Sequence, residues 1–221
     1  MAQAQFSHAE GGNCRALADY SHAEGCNNGG TPVIASGKGS HAEGWGTAAS
    51  NSASHAEGVG TTASGAGSHA EGNGTIASGD YSHTEGYETQ AINGNAHAEG
   101  YKTIASGIRS HAEGNGSQSI GTASHAEGFS SIANGYASHA QGLETSANGN
   151  YSHAEGEGTI ASSNHSHAQG KYNIEDTDKK YAHIVGNGKY NDGSPIRSNA
   201  HTIDWQGNAW FAGNVYIGGT G

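Results

Sequence analysis

Ser54-His55-Ala56-Glu57-Gly58-Val59-Gly60-Thr61-Thr62-Ala63-Ser64-Gly65-Ala66-Gly67 is followed at once by Ser68-His69-Ala70-Glu71-Gly72-Asn73-Gly74-Thr75-Ile76-Ala77-Ser78-Gly79-Asp80-Tyr81. The two lines are one fourteen-residue phrase written twice. Its histidine recurs twelve times, at His8, His22, His41, His55, His69, His83, His97, His111, His125, His139, His153 and His167. Every step is 14 residues except His22 to His41, which is 19. A period this strict means one supersecondary unit stacked on itself. It predicts repeating surface rows and a structural or binding role, not a globule with one cleft.

A glycine stands three residues after each of these histidines. An alanine stands one residue after, except at Thr84, and a glutamate two after, except at Gln141 and Gln169. A second alanine lies seven residues beyond the first, as in Ala56 and Ala63 or Ala98 and Ala105. Fourteen is therefore two sevens, each read as a five-residue strand and a two-residue corner. Within the phrase, Ser, Ala and Gly fall on one face and His and Glu on the other, the alternation of a strand with two unlike faces. A helix would lack its apolar stripe and would carry glycines costing about 1 kcal/mol each. The expected fold is a flat parallel β-coil, two strands per turn, with only Ala, Ser, Thr and Gly inside. Rungs about 4.8 Å apart would make twelve turns roughly 55–60 Å long. So thin an interior buries little apolar area. We therefore expect a homotrimer, the simplest closed arrangement.

The Ser-x-Ala-x-Gly phrase at this period, over residues 7–170, resembles the YadA-like head of trimeric autotransporter adhesins. That resemblance implies an all-β fold: a left-handed parallel β-roll of 14-residue repeats with two short strands per turn, assembled as a homotrimer. The adhesin heads carry aliphatic residues beside the alanine, where this chain has His and Glu. The His-Ala-Glu-Gly version is similar to repeats in tail and appendage proteins of phages and prophages of Gram-positive bacteria.

The chain has 221 residues and a formal net charge of −11, with nine Lys and Arg. That balance disfavours nucleic acid as a partner. No apolar run is long enough to cross a membrane, so none is expected as a partner. Residues 1–6 lack the charged and apolar regions of a signal peptide. This favours a phage particle, released by lysis, over an exported adhesin.

Three regions are expected: a repeat shaft over 1–170, a charged junction over 171–180, and a β-rich C-terminal module over 181–221. In the last, Thr202-Ile203-Asp204-Trp205 and Ala209-Trp210-Phe211-Ala212 flank Gln206-Gly207-Asn208, which reads as a hairpin. A second short β-unit is expected at residues 214–217, and the apolar residues of the module are expected to bind neighbouring subunits together. Residues 183–188 and 197–205 again resemble the phage tail proteins, in which they precede an autocleaving chaperone domain. The extra residues between His22 and His41 form a turn-rich bulge around residues 26–32. Cys14 and Cys26 sit at different phases of neighbouring repeats and read as separate thiols, not a metal motif.

The residues that carry chemistry are the repeat rows. His41, His55, His69, His83, His97, His111, His125, His139 and His153, with Glu43, Glu57, Glu71, Glu99, Glu113 and Glu127, read as a structural ladder at least partly at a subunit interface. The same rows are weak candidates for divalent metal; a dedicated zinc site needs about four convergent ligands and normally occurs once. No cofactor is expected. Adjacent Ser and His point to opposite faces, so no nucleophile–base pair forms and no enzymatic activity is expected. The threonine row Thr47, Thr61, Thr75, Thr89 and Thr103 shares the inward phase, which argues against a lattice-binding face for ice. Trp45, Tyr81, Tyr87, Tyr101, Tyr136 and Tyr151 lie near corners, where they pack or stack on sugars. The reading is a trimeric, rigid shaft of a phage or prophage tail fibre or appendage, located in the virion. Its partner would be a host cell-surface receptor, with carbohydrate as one candidate. The alternatives are the head fragment of a bacterial trimeric surface adhesin at the cell surface, and a multivalent His/Glu metal-binding rod.

Overall fold

The computed structural model describes residues 1–25 and 30–214. Two compact units divide the chain, Met1–Ala123 and Ser124–Gly221. Both are parallel β-solenoids, and no helix occurs among the described residues. Cys26, most of the bulge after Gly25 and residues 215–217 of the β-unit expected at 214–217 lie outside the described residues.

In the first unit, each turn contributes one strand beginning at the repeat histidine, such as His41–Gly44, His83–Tyr87 and His97–Tyr101. A second strand follows, such as Val33–Ala35, Ile76–Ala77 and Ile104–Ala105. The strands are shorter than the sequence implies. Those starting at histidine run two to five residues and the others two or three. Like pairs with like at every rung: His83 lies opposite His69 and His97, and Ala77 opposite Ala63 and Ala91. Rungs are joined by backbone bonds such as Glu57 N to Ala70 O and Thr62 N to Thr75 O, both 2.9 Å.

The corners explain why fourteen is two sevens. A left-handed residue stands two before each repeat histidine, for example Ala53, Tyr81, Asn95 and Arg109, with φ of 54–58°. Another stands five after, at Gly60, Gly74, Glu88 and Lys102, with φ of 52–67°. Each turn thus reverses at two αL residues seven apart. Five of those eight side chains are neither glycine nor asparagine, so the stacked rungs hold them against an intrinsic cost of about 1–2 kcal/mol each.

The interior is made of small residues. Ala42, Ala49, Ala56, Ala63, Ala70 and Ala77 are wholly inaccessible, as are Thr47, Thr61, Thr75, Thr89 and Thr103. Each buried methyl contributes only about 0.8 kcal/mol. The inward hydroxyls close their own turns: Ser68 Oγ donates to Gly65 O and Ser82 Oγ to Gly79 O, both 2.7 Å. Thr61 Oγ1 donates to Glu57 O and Thr75 Oγ1 to Glu71 O, both 3.0 Å. These hydroxyls hold fixed positions because each satisfies a backbone carbonyl of its own turn. The buried threonine row presents no face to a lattice.

The 19-residue step leaves the ladder untouched. His22 lies opposite His41 and Gly25 opposite Gly44, as at any regular rung.

The second unit repeats this pattern through His125–Phe129, His139–Leu143, His153–Glu157 and His167–Lys171. The phrase ends at Gly170, yet the parallel ladder continues for one more strand. Tyr181–Asn187 pairs in register with it, His183 opposite His167 and Gly186 opposite Gly170. The segment between is fastened by two side chains. Asn173 stands in for a strand, accepting from Ile160 N at 2.7 Å and donating to Ile160 O at 3.0 Å. The Asp176 carboxylate accepts from Ser163 Oγ, Lys180 N and Tyr181 N. Pairing then turns antiparallel, through Asn199–Asp204 and Ala209–Phe211, with Gly207 at φ +86° in the connecting turn.

Candidate binding columns of histidine and glutamate

Because the strand period is two and the register exact from rung to rung, every residue type forms its own column. The histidine rings of the first unit stack from His22 through His41, His55, His69, His83 and His97 to His111. Ring centroids are 4.7–5.0 Å apart and planes within 8° of parallel. In the second unit His125, His139, His153 and His167 stack at 4.7–4.8 Å. At the last parallel rung the column breaks, with His183 tilted by 48° from His167.

The glutamates form the adjacent column and reach to the imidazole of the next rung. Glu57 Oε1 lies 3.4 Å from His69 Nε2, Glu71 3.2 Å from His83, and Glu99 3.2 Å from His111. Glu127 lies 3.4 Å from His139 and Glu155 3.2 Å from His167. Glu43 instead contacts His41 of its own rung, at 3.5 Å. Glu113 holds the same position on the last full rung of the first unit. These pairs are about one-third exposed, so each adds at most about 1 kcal/mol.

At seven rings the contact leaves nitrogen unsatisfied. Nε2 of His22, His41, His55, His69, His97, His139 and His153 is shielded from solvent and makes no hydrogen bond within the described residues. Burial pushes the imidazoles of His97 and His153 below their ordinary range, and the rings above and below add to that. For His97 these are His83 and His111, opposed by Glu99 and Glu85; for His153, His139 and His167, opposed by Glu155 and Glu127.

Lowered imidazole pKa values fix the sign of the acid response. Between the ordinary pKa near 6.5 and the lower folded value, the unfolded chain binds more protons. Stability is then complete above about pH 6.5 and falls as pH drops through the folded pKa. The expected result is a melting temperature that declines on acidification from pH 7 to 5, with a shallower slope in the double variant His97→Gln, His153→Gln. Parallel profiles for the two proteins would show that these rings do not titrate on unfolding.

The invariant glycines shape the surface beside the glutamates. Having no side chain, they leave a groove of about 440 Å³ along Glu10, Gly11, Glu24, Gly25, Glu43 and Gly44. A similar groove, about 660 Å³, follows Glu127, Gln141, Glu155 and Gln169 in the second unit. In that column Gln141 Nε2 donates to Glu155 Oε2 at 2.9 Å. The glycine three residues after each repeat histidine is the signal in the sequence for these grooves.

The corner aromatics Trp45, Tyr81, Tyr87, Tyr101, Tyr136 and Tyr151 are all exposed. Tyr87 and Tyr101 stack on each other at 5.2 Å, and Tyr136 meets Tyr151 edge-on at 5.3 Å. Sequence reasoning missed a cleft of about 710 Å³ in the second unit, whose walls include Tyr181, Arg197, Thr202 and Trp210. Arg197 is fixed there by donating to Gly158 O and Asn173 O, while Thr202 Oγ1 is buried with no partner in the described residues. Cys14 is buried, with Sγ 3.4 Å from Gly25 O.

Residues 56–82, 98–124, 126–152 and 140–162 match the YadA head domain repeat. No curated protein matches the chain. Over these stretches, in both units, the chain is a β-roll repeat protein similar to the YadA head domain repeat.

Proposed function

We propose that this chain is a head segment of a trimeric bacterial surface adhesin, a rigid scaffold that holds columns of identical side chains towards a host or partner surface. The observation that carries the reading is the match to the YadA head domain repeat in both units. Heads of this kind assemble as trimers and sit at the bacterial cell surface. The interior supports association as well. It is built from Ala, Ser and Thr, and outward isoleucines such as Ile76, Ile92, Ile108 and Ile120 are 40–46% exposed, apolar area that a partner chain would cover. The family match favours the surface adhesin over the phage tail fibre to which the His-Ala-Glu-Gly phrase is also similar.

Sedimentation equilibrium is expected to give three times the 22.3 kDa chain mass. A folded monomer would overturn the trimer. Antibody labelling separates the two settings: the adhesin reading expects label on the envelope of intact bacteria making the protein. Label confined to purified phage tails would replace it with the tail-fibre reading.

A further inference from the structure

We propose that the His/Glu columns bind divalent transition-metal ions of the zinc and nickel type, each ion seated between one imidazole Nε2 and the carboxylate of a neighbouring rung. The inference stands on the geometry of the columns and does not depend on the adhesive role.

Three observations converge on it. The first is distance. Zinc takes imidazole nitrogen at about 2.0–2.1 Å and carboxylate oxygen at about 2.0–2.2 Å. The N···O separations of 3.2–3.4 Å at His69–Glu57, His83–Glu71 and His111–Glu99 then set an angle at the ion of about 100–110°, close to tetrahedral. In His55, Glu57 and His69, in His69, Glu71 and His83, and in His97, Glu99 and His111, a carboxylate oxygen and one nitrogen of each ring fall within 4.8 Å of one another, so either ring can be the one that takes the ion.

The second is unsatisfied capacity. Five imidazoles of the first unit and two of the second hold an Nε2 that is shielded from water and makes no hydrogen bond in the described residues. A metal ion would take up that nitrogen.

The third is charge. The first unit carries Glu10, Glu24, Glu43, Glu57, Glu71, Glu85, Glu99 and Glu113 in one column, the first three of them lining a glycine groove. Like charges at rung spacing repel. Divalent ions relieve this, and charge balance is reached at one ion per two glutamates.

The stacking also decides what the site is not. Rings within 8° of parallel carry lone pairs that run side by side, so two neighbouring imidazoles cannot aim at one ion. Each ion is held by one nitrogen and by carboxylate, with water completing the shell. That donor set suits zinc and nickel and gives calcium or magnesium, which prefer oxygen alone, no use for the nitrogen.

The test uses the full, tag-free chain, stripped of metal, at pH 7.5. Calorimetric titration with zinc chloride and elemental analysis after desalting are expected to show about five ions per chain, one for every two column glutamates of the two units, with calcium unable to displace them. The variant Glu57→Gln, Glu71→Gln, Glu99→Gln is expected to fold, because Gln141 and Gln169 already occupy this position. Its zinc affinity should fall at least about tenfold, and His69→Gln, His83→Gln, His111→Gln should do the same with every carboxylate retained. Calcium binding as well as zinc, or the histidine variant binding zinc as the parent does, would reduce the columns to a counterion surface and overturn the proposal. So would fewer than one ion per chain.

Discussion

Gly86→Ala is expected to prevent stable folding of the first unit, whereas Gly60→Ala is expected to cost only about 1–2 kcal/mol. Both glycines have positive φ, but the two positions differ in kind. Gly60, at φ +64°, is an αL corner with nothing within 4 Å of an added Cβ. Glu88 and Lys102 already occupy the same corner on later turns of the unit. Gly86 sits at φ +101°, beyond the αL basin, and an added Cβ would lie 2.2 Å from the carbonyl oxygen of Gly100 on the next rung. That oxygen is backbone and cannot step aside without breaking the ladder. Strain and a lost rung bond together amount to upward of about 3 kcal/mol. Urea unfolding of the two variants beside the parent measures the difference; equal midpoints would show that close rung approach does not explain the glycine column.

The alanine interior gives the second large effect. Ala70 is fully buried between Ala56 and Thr84 of the adjoining rungs. Ala70→Leu should overpack it at a cost of about 1–3 kcal/mol or more, and Ala77→Leu likewise. The reverse change is informative too. Thr84 alone interrupts the alanine column, and its buried Oγ1 has no hydrogen-bond partner in the described residues. Thr84→Ala should therefore leave stability unchanged or raise it. Thermal melts of the three variants test this directly, and unaltered melting in both leucine variants would mean that the alanine face is not the packed interior.

Much of this architecture is legible in the residues themselves. The spacing of His, Ala and Gly dictates the parallel rungs, and alternation within His-Ala-Glu separates inward from outward faces. Other features leave no trace in composition. The corner two residues before each histidine is held by Phe6, Tyr20, Ala53, Asn95 or Arg109. Stacking, not residue type, imposes αL there. The reach of Glu57 to His69 spans twelve residues; a reader of the phrase would pair Glu57 with His55, two residues away. The strand Tyr181–Asn187 was hidden because it joins the ladder after an irregular gap and carries Val185 where the phrase has Glu or Gln. Handedness and partner faces are set by packing between elements, which residue patterns within one turn do not encode.

The exact register across the 19-residue step has a further meaning. His22 and His41 stack at 4.8 Å with planes 2° apart, indistinguishable from rungs joined without extra residues. The ladder is indifferent to what its corner carries there, provided that the chain leaves Gly25 and re-enters at Val33–Ala35 in phase. Surface and scaffold are thereby uncoupled. That corner can lengthen, shorten or be exchanged wholesale while the columns keep their spacing, so it offers a mounting point for foreign peptides and a place where antigenic character can drift without cost to the fold.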